Sequence, residues 1–282
     1  MPHYVLTLQC PDRPGIVLAL ATGIGRAGGT ILDSAQFSDP TTGLFCVRTE
    51  FEAPAADAEE LRALVGAELA AFGARLSLRP RDRHRRALLM VSRLDHCLVD
   101  LLYRWERGEL PVEIPVVVSN HEDLRELVER HGLEYVHVPV TPATKPAAEA
   151  RLLELVEDHR IDVVVLARYM QVLSDEACRR LAGRAINIHH SFLPGFKGAR
   201  PYHQAHDRGV KLIGATAHYV TGDLDEGPII EQDVVRVGHT RTAEQMVRLG
   251  RDVERLVLAR AVTAHAEDRV FLCGARTVVF AD

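Results

Sequence analysis

No run of apolar residues in this sequence approaches the roughly 20 that would span a bilayer. Positive charge is not in surplus either: 34 Lys and Arg stand against 39 Asp and Glu, a formal net charge of −5. A chain that coats DNA or RNA neutralises phosphates and needs the opposite balance, so nucleic acid is not an expected partner. No CxxC pair occurs among Cys10, Cys46, Cys97, Cys178 and Cys273, which speaks against a disulfide framework and a zinc knuckle. HExxH is absent as well. The adjacent His189 and His190 would point to opposite sides of a strand, a poor arrangement for chelation, and no metal is expected. At the N-terminus, MPHYVLTLQCPDRPG carries an acid and a proline where a signal peptide would have its apolar core. A cytoplasmic protein without a membrane partner is the expectation.

What is present is the profile of a folded protein. Apolar residues make up 47% and charged residues 26%, which excludes a disordered chain. A length of 282 residues favours two domains. Residues 79–86, RPRDRHRR, hold arginines, one proline and no aliphatic side chain. We read them as a solvated linker, with domains at 1–84 and 85–282.

The first domain reads strand, helix, strand, strand, helix, strand. HYVLTLQC alternates as a half-buried strand. IVLALATGIGRAG follows as an apolar-rich helix closed by Gly28-Gly29. TILDSAQFSD and GLFCVRTEFE alternate around the turn Asp39-Pro40-Thr41-Thr42-Gly43. AADAEELRALVGAELAAFG and ARLSLRP complete a βαββαβ order, the ferredoxin-like pattern. After residue 84, ALLMVS, PVVVS, YVHVPV and DVVVLA are short apolar strands, each followed by a helical pattern. They predict a Rossmann-like, mostly parallel sheet with helices on both faces. AINIHH, a long polar loop, the strand VKLIGATAHYV, a helix and a hairpin-like pair close the chain.

In an open α/β sheet the ligand lies beyond the carboxyl ends of the strands. In Ala185–His189 the period of two puts Asn187 and His189 on one face. After Val220, glycines at 222 and 227 let a loop curl back and bring Asp225 towards His189. An Asn, a His and an Asp without a nucleophilic Ser or Cys suit direct attack on a carbonyl. Asn and His donate to an oxyanion, and Asp orients the imidazole or serves as base. The same residues could equally end a strand, pack in the core and begin a turn; spacing alone does not choose.

NIHHSFLPGFKGARP, from Asn187 to Pro201, resembles the N-I-H-x-S-[LF]-L-P signature of folate-dependent formyltransferases, and AHYVTGDLDEGPII resembles their second block. The resemblance makes Asn187, His189 and Asp225 catalytic and His218 a supporting histidine that orients the aspartate loop. Glycinamide ribonucleotide formyltransferases carry a glycine-rich phosphate turn after their first strand. Here SRLDHCLVDLLYRWERGEL has no glycine before Gly108. Methionyl-tRNA formyltransferases have an extra C-terminal domain, for which little chain remains after the second block. An N-terminal module, DHCLVDLLYRW, HHSFLP and KGARPYHQA are instead similar to the formyltetrahydrofolate deformylases over nearly the whole chain. That resemblance implies hydrolysis of 10-formyltetrahydrofolate to formate and tetrahydrofolate, with no cofactor, supplying formate for purine biosynthesis and balancing the one-carbon pool. Formyl transfer to an amine would use the same three residues. A non-catalytic regulator sensing folate and an amino acid is the alternative of a different class.

The family's folate-gripping segment matches Arg168, Met170, Gln171, Val172 and Leu173, although the apolar members also suit a core. Gly227 joins them as a substrate contact. Lys197 and Arg200 could meet the folate's glutamate tail or face solvent. PDRPGIV and GGTILDSAQFSD look like an ACT domain, a small-molecule sensing module. The likeness implies an amino-acid site at Asp12, Arg13, Gly15 and Ile16, methionine and glycine as opposing effectors, and a homotetramer.

Overall fold

A computed structural model describes residues 1–54, 57–195 and 200–281. The chain forms two compact units, Met1–His84 with Glu267–Asp282, and Arg85–Ala266. Among the described residues no helix is long and apolar enough to cross a membrane.

In the first unit β1 (His3–Pro11), α1 (Ile16–Arg26), β2 (Thr30–Asp39), β3 (Leu44–Glu52), α2 (Ala58–Leu69) and β4 (Arg75–Pro80) follow the expected order. The sheet runs β2-β3-β1-β4 with every pairing antiparallel. Strand alternation sends Leu6 and Leu8 of β1 and Val47 and Phe51 of β3 into a core with Leu20 and Val65 of the two helices. It leaves Cys46 and Arg48 on the opposite face. A C-terminal hairpin of Val270–Cys273 and Arg276–Val279 covers that face. Phe271 and Cys273 pack against Cys46, Gln9 Nε2 donates to the Leu272 carbonyl at 2.8 Å, and Arg48 Nε donates to the Glu267 carbonyl at 2.8 Å.

Two expectations are thereby corrected. The second unit ends at Ala266, not at residue 282, because Phe271 and Cys273 of the hairpin bury against Cys46 on the outer face of β3. The arginine run is not a solvated linker throughout. Arg79 belongs to β4 and pairs with Asp268, and Arg86 is the second residue of a strand and donates to the His159 carbonyl at 2.7 Å.

The second unit contains β5 (Arg85–Val91), α3 (His96–Glu106), β6 (Val112–Ser119), α4 (Arg125–Arg130), β7 (Glu134–His137), α5 (Lys145–Asp158), β8 (Val163–Leu166), α6 (Asp175–Arg180), β9 (Ala185–His189), α7 (Pro201–Asp207), β10 (Leu212–Tyr219), β11 (Ile229–Arg236) and α8 (Ala243–Ala266). Its sheet order is β11-β10-β9-β8-β5-β6-β7. The five strands from β9 to β7 are parallel, while β10 and β11 run antiparallel. Sequence periodicity passed over α7, which lies in the stretch read as a polar loop, and β11, an edge strand with a weak apolar pattern. The strand order reverses at β5, with β6 and β7 on one side and β8 and β9 on the other. A crevice at the carboxyl ends of β5, β8 and β9 follows from that reversal.

Phe271 is the large apolar anchor of the hairpin and is buried. Phe271→Ala should cost about 3 kcal/mol through the cavity it leaves, measured by urea unfolding followed with circular dichroism. An unchanged midpoint would mean that the hairpin is not part of the first unit's core.

Candidate active site

β9 buries Ile186 and Ile188 and turns Asn187 and His189 towards a cavity of about 250 Å³. The antiparallel register of β10 places His218 opposite Asn187 and Thr216 opposite His189. His218 Nδ1 lies 2.9 Å from the Tyr219 carbonyl, which can only accept, so Nδ1 carries the proton. His218 Nε2 is then the acceptor for Asn187 Nδ2 at 3.3 Å. Burial holds the His218 imidazole below its ordinary pKa, in keeping with this neutral form. His218 stands 3.9 Å from Asp225, beyond hydrogen-bond reach. It orients Asn187, rather than the aspartate loop as expected.

The loop after β10 returns Asp225 to the strand ends. His189 Nδ1 donates to Asp225 Oδ1 at 3.1 Å. Burial pushes the Asp225 carboxyl up, but the hydrogen bond and charge of His189 outweigh it and hold the group below the usual carboxylate range. The left-handed turn falls on Asp225 itself, at φ 58°, a conformation Asp tolerates better than most side chains. The glycines act by close approach instead. A Cβ at Gly227 would sit 1.7 Å from the Tyr219 carbonyl oxygen. Gly227 therefore fits the loop to β10 and does not line the cavity, contrary to its expected substrate contact.

His190 corrects another expectation. β9 ends at His189, so strand alternation no longer governs the next residue. The His190 ring lies 5.0 Å from that of His189 and lines the same cavity. Thr216 pins the chain beyond it, with its hydroxyl donating to the Ser191 carbonyl at 2.9 Å and accepting from the Leu193 amide at 3.0 Å.

Arg168, Met170, Gln171, Val172 and Leu173 all line the cavity. Leu173 is also core, whereas Met170 and Val172 are 54% and 56% exposed. Leu224 joins them from the aspartate loop, giving one apolar flank. Ser92 clamps this segment: its hydroxyl accepts from the Met170 amide at 2.9 Å and donates to Asn120 Oδ1 at 2.7 Å. Lys197 lies outside the described residues. Arg200 is exposed just before α7.

Ser92, Asn120, Leu224 and Glu254 escaped sequence reasoning. The usable signal for the first two was a polar residue directly after an apolar strand. Glu254 gave none, because a carboxylate within a helical repeat reads as solvent-facing. It is 1% exposed and accepts from His96 Nε2 at 2.8 Å and from the Tyr202 hydroxyl at 2.7 Å, with Arg168 Nε at 3.3 Å. His96, Cys97 and Glu254 offer ligand atoms within 4.8 Å of one another. The carboxylate is already committed to Arg168, and burial pushes the Cys97 thiol well up, so the donor set suits an ion-pair network better than a cation.

In the first unit Gly15 is left-handed at φ 97° before α1, and Ile16 is core. Arg13 stacks on Phe72 with its guanidinium carbon 4.6 Å from the ring centre, while Asp12 accepts from the Ser38 hydroxyl. The helix's first turn has no side-chain cap.

Residues 85–262 match the family model described as formyl transferase. The chain is 50% identical over 279 residues to a formyltetrahydrofolate deformylase of Corynebacterium sp. strain P-1, covering 98% of each protein. The chain belongs to the formyltetrahydrofolate deformylases, within the formyl transferase family. The crystal structure of a deformylase from Burkholderia mallei matches at 51% identity and a TM-score of 0.95, covering 100% of both chains. A glycinamide ribonucleotide transformylase from Symbiobacterium toebii matches at 31% identity and a TM-score of 0.67, covering 73% of this chain and 98% of that one. Membership of this family gives the Asn187, His189 and Asp225 constellation a chemical context.

His190 generates a pH prediction. Burial first, and the Arg168 charge second, lower its pKa from 6.5 to about 4. Between those values the unfolded chain binds a proton that the folded chain refuses. Stability therefore rises with pH across the window: its full value holds above 6.5 and is lost as pH falls towards 4. The loss is on the order of 3 kcal/mol. His190→Gln should flatten the stability curve over this range in urea titrations; an unchanged slope would assign the proton to another group.

Proposed function

We propose that the protein hydrolyses 10-formyltetrahydrofolate to formate and tetrahydrofolate, with no cofactor beyond that substrate. The observation that carries this reading is the convergence of Asn187, His189 and Asp225 at one wall of the cavity. Asn187 Nδ2 has a second hydrogen free after bonding His218. His189 Nε2 is buried without a partner among the described residues and becomes a second donor when protonated. Together they form an oxyanion site. Asp225 Oδ1 accepts from His189 and stabilises the charge of the donating ring. Its other oxygen orients the attacking water and takes a proton from it. Collapse of the tetrahedral intermediate breaks the C–N bond, and the folate nitrogen takes up a proton.

The turn after β5 supports water over a phosphorylated amine as acceptor. His96 begins α3 and carries the buried Glu254 carboxylate against it. A phosphate bound there would face a fixed negative charge. The apolar flank of Met170, Val172 and Leu224 suits the pterin ring. Such an enzyme would supply formate for purine biosynthesis and balance the one-carbon pool in the cytoplasm.

We read the first unit as an ACT domain on its βαββαβ order and the DRPG turn. The free amides at the start of α1 suit an amino-acid carboxylate, with methionine and glycine as opposing effectors. Leu18 of α1 is 72% exposed, and Ile31, Leu32 and Phe37 of the edge strand β2 are also exposed. Such a surface favours self-association and supports a homotetramer.

Formate release without any amine acceptor is the direct test of activity, and release only on adding an amine would restore the transferase. Asn187→Ala and His189→Ala should each lower turnover by about 10²–10³ while the KM for folate stays near wild type. Asp225→Asn should cost at least as much; a well-folded Asp225→Asn protein with most of its activity would refute its role. Methionine and glycine should shift the rate in opposite directions, and no response to either would remove the regulatory assignment.

A further inference from the structure

The catalytic trio accounts for one wall of the cavity. Beside it lie Arg168 and His190, neither of which the mechanism above uses. Arg168 follows β8 and is buried, yet it lines the cavity. It adopts a left-handed backbone at φ 67°, a strained conformation that collects at functional sites. Among the described residues its one charged partner is Glu254, 3.3 Å from Nε, an ion pair that lacks hydrogen-bond geometry. The two terminal amino groups of the guanidinium have no hydrogen-bond or ion-pair partner among the described residues. They form the edge that matches a carboxylate with two parallel hydrogen bonds.

Glu254 fixes that edge. The carboxylate is held at its other contacts by His96 and Tyr202, at 2.8 Å and 2.7 Å. Burial raises its pKa, but His96 and Arg168 outweigh it and keep the group ionised. His190 completes the arrangement. Its Nδ1 is buried without a partner among the described residues, and its ring lies beside both His189 and Tyr202. Three distant segments thus meet at one place: His96 after β5, Arg168 after β8 and Tyr202 in α7.

Hydrolysis creates an anion where none was bound. Water's oxygen forms a bond to the formyl carbon, and the C–N bond breaks. One water proton goes to the folate nitrogen, the other leaves by way of Asp225, and the carbon departs as formate. We infer that Arg168 and His190 form a carboxylate subsite that receives this formate, with Glu254 as the positioning residue behind it. The subsite presupposes the hydrolytic reading only for the origin of the carboxylate. The folate's glutamate tail is the other carboxylate present, but Arg168 is buried at the base of the cavity, next to the reacting groups.

The test is inhibition by added sodium formate at constant ionic strength, together with the shift in melting temperature that formate causes. Both are measured on wild type, Arg168→Lys, Arg168→Met and the Arg168→Met/Glu254→Gln double variant. The double variant removes both charges and keeps the protein assessable if an unpaired Glu254 unfolds the single one. Formate should inhibit and stabilise the wild type. Its inhibition constant should rise at least tenfold in the Met-containing variants while the folate KM changes less than threefold, and Arg168→Lys should recover part of the effect. Equal formate inhibition in all four proteins, or no formate effect on the wild type, would overturn the subsite. A raised folate KM with formate inhibition unchanged would overturn it too, and would place Arg168 on the glutamate tail. Formate binding to a wild type that releases no formate from 10-formyltetrahydrofolate would support the subsite and sink the deformylase reading.

Discussion

The antiparallel register of β9 against β10 sets the positions of Asn187, His189 and His218. It puts His218 opposite Asn187 and Thr216 opposite His189. Because side chains alternate with a period of two, a slip of one residue would exchange the face of Asn187 and His189 for that of Ile186 and Ile188. The register is enforced on both sides. Thr216 binds the chain beyond His189, and Gln232 of β11 donates to the Thr216 hydroxyl at 2.9 Å. At Gly214 a Cβ would lie 2.3 Å from the Asp233 carbonyl oxygen, so β10 and β11 approach there as only glycine allows. The same close fit recurs at Gly227, where the aspartate loop is pressed onto the end of β10.

Charge at the site is organised in two compensated pairs. His189 and Asp225 line the cavity together, while Arg168 and Glu254 pair near His190. Removing one partner of such a pair leaves a buried charge without compensation, which is far more costly than losing the pair. The arrangement keeps His190 and His218 neutral, the first by burial and the Arg168 charge, the second by burial. Neutral imidazoles can accept as well as donate, which is what lets His218 fix the Asn187 amide. One fold thereby holds three histidines side by side with different partners: His189 bonded to Asp225, His218 to Asn187, and His190 beside Tyr202 and His189.

Strand alternation and helical periodicity were enough to recover the βαββαβ order, the parallel strands and the face shared by Asn187 and His189. These are local properties, written in the spacing of apolar residues. The Asp225 loop was legible because its glycines announced a close turn, although their role proved to be packing and the left-handed residue was Asp225. The clustering of Met170 and Val172 beside the trio could be anticipated from the family motif but not from hydropathy, since an exposed apolar residue and a buried one look alike in a sequence.

What the sequence determined by itself was therefore most of the elements, α7 and β11 excepted, and the shared face of Asn187 and His189. The tertiary structure decided which distant residues complete it. Glu254 sits 86 positions from Arg168 in the chain, and only the packing of α8 brings it beneath the cavity. His190 left the face that alternation assigned because its strand ended one residue earlier. The C-terminal hairpin joined the first unit because Leu44 and Cys46 on the outer face of β3 receive Phe271 and Cys273, an opening that no local pattern in residues 270–279 could report. Periodicity records how each segment divides water from core, whereas the partner that fills the core is chosen by chain reversal and shape.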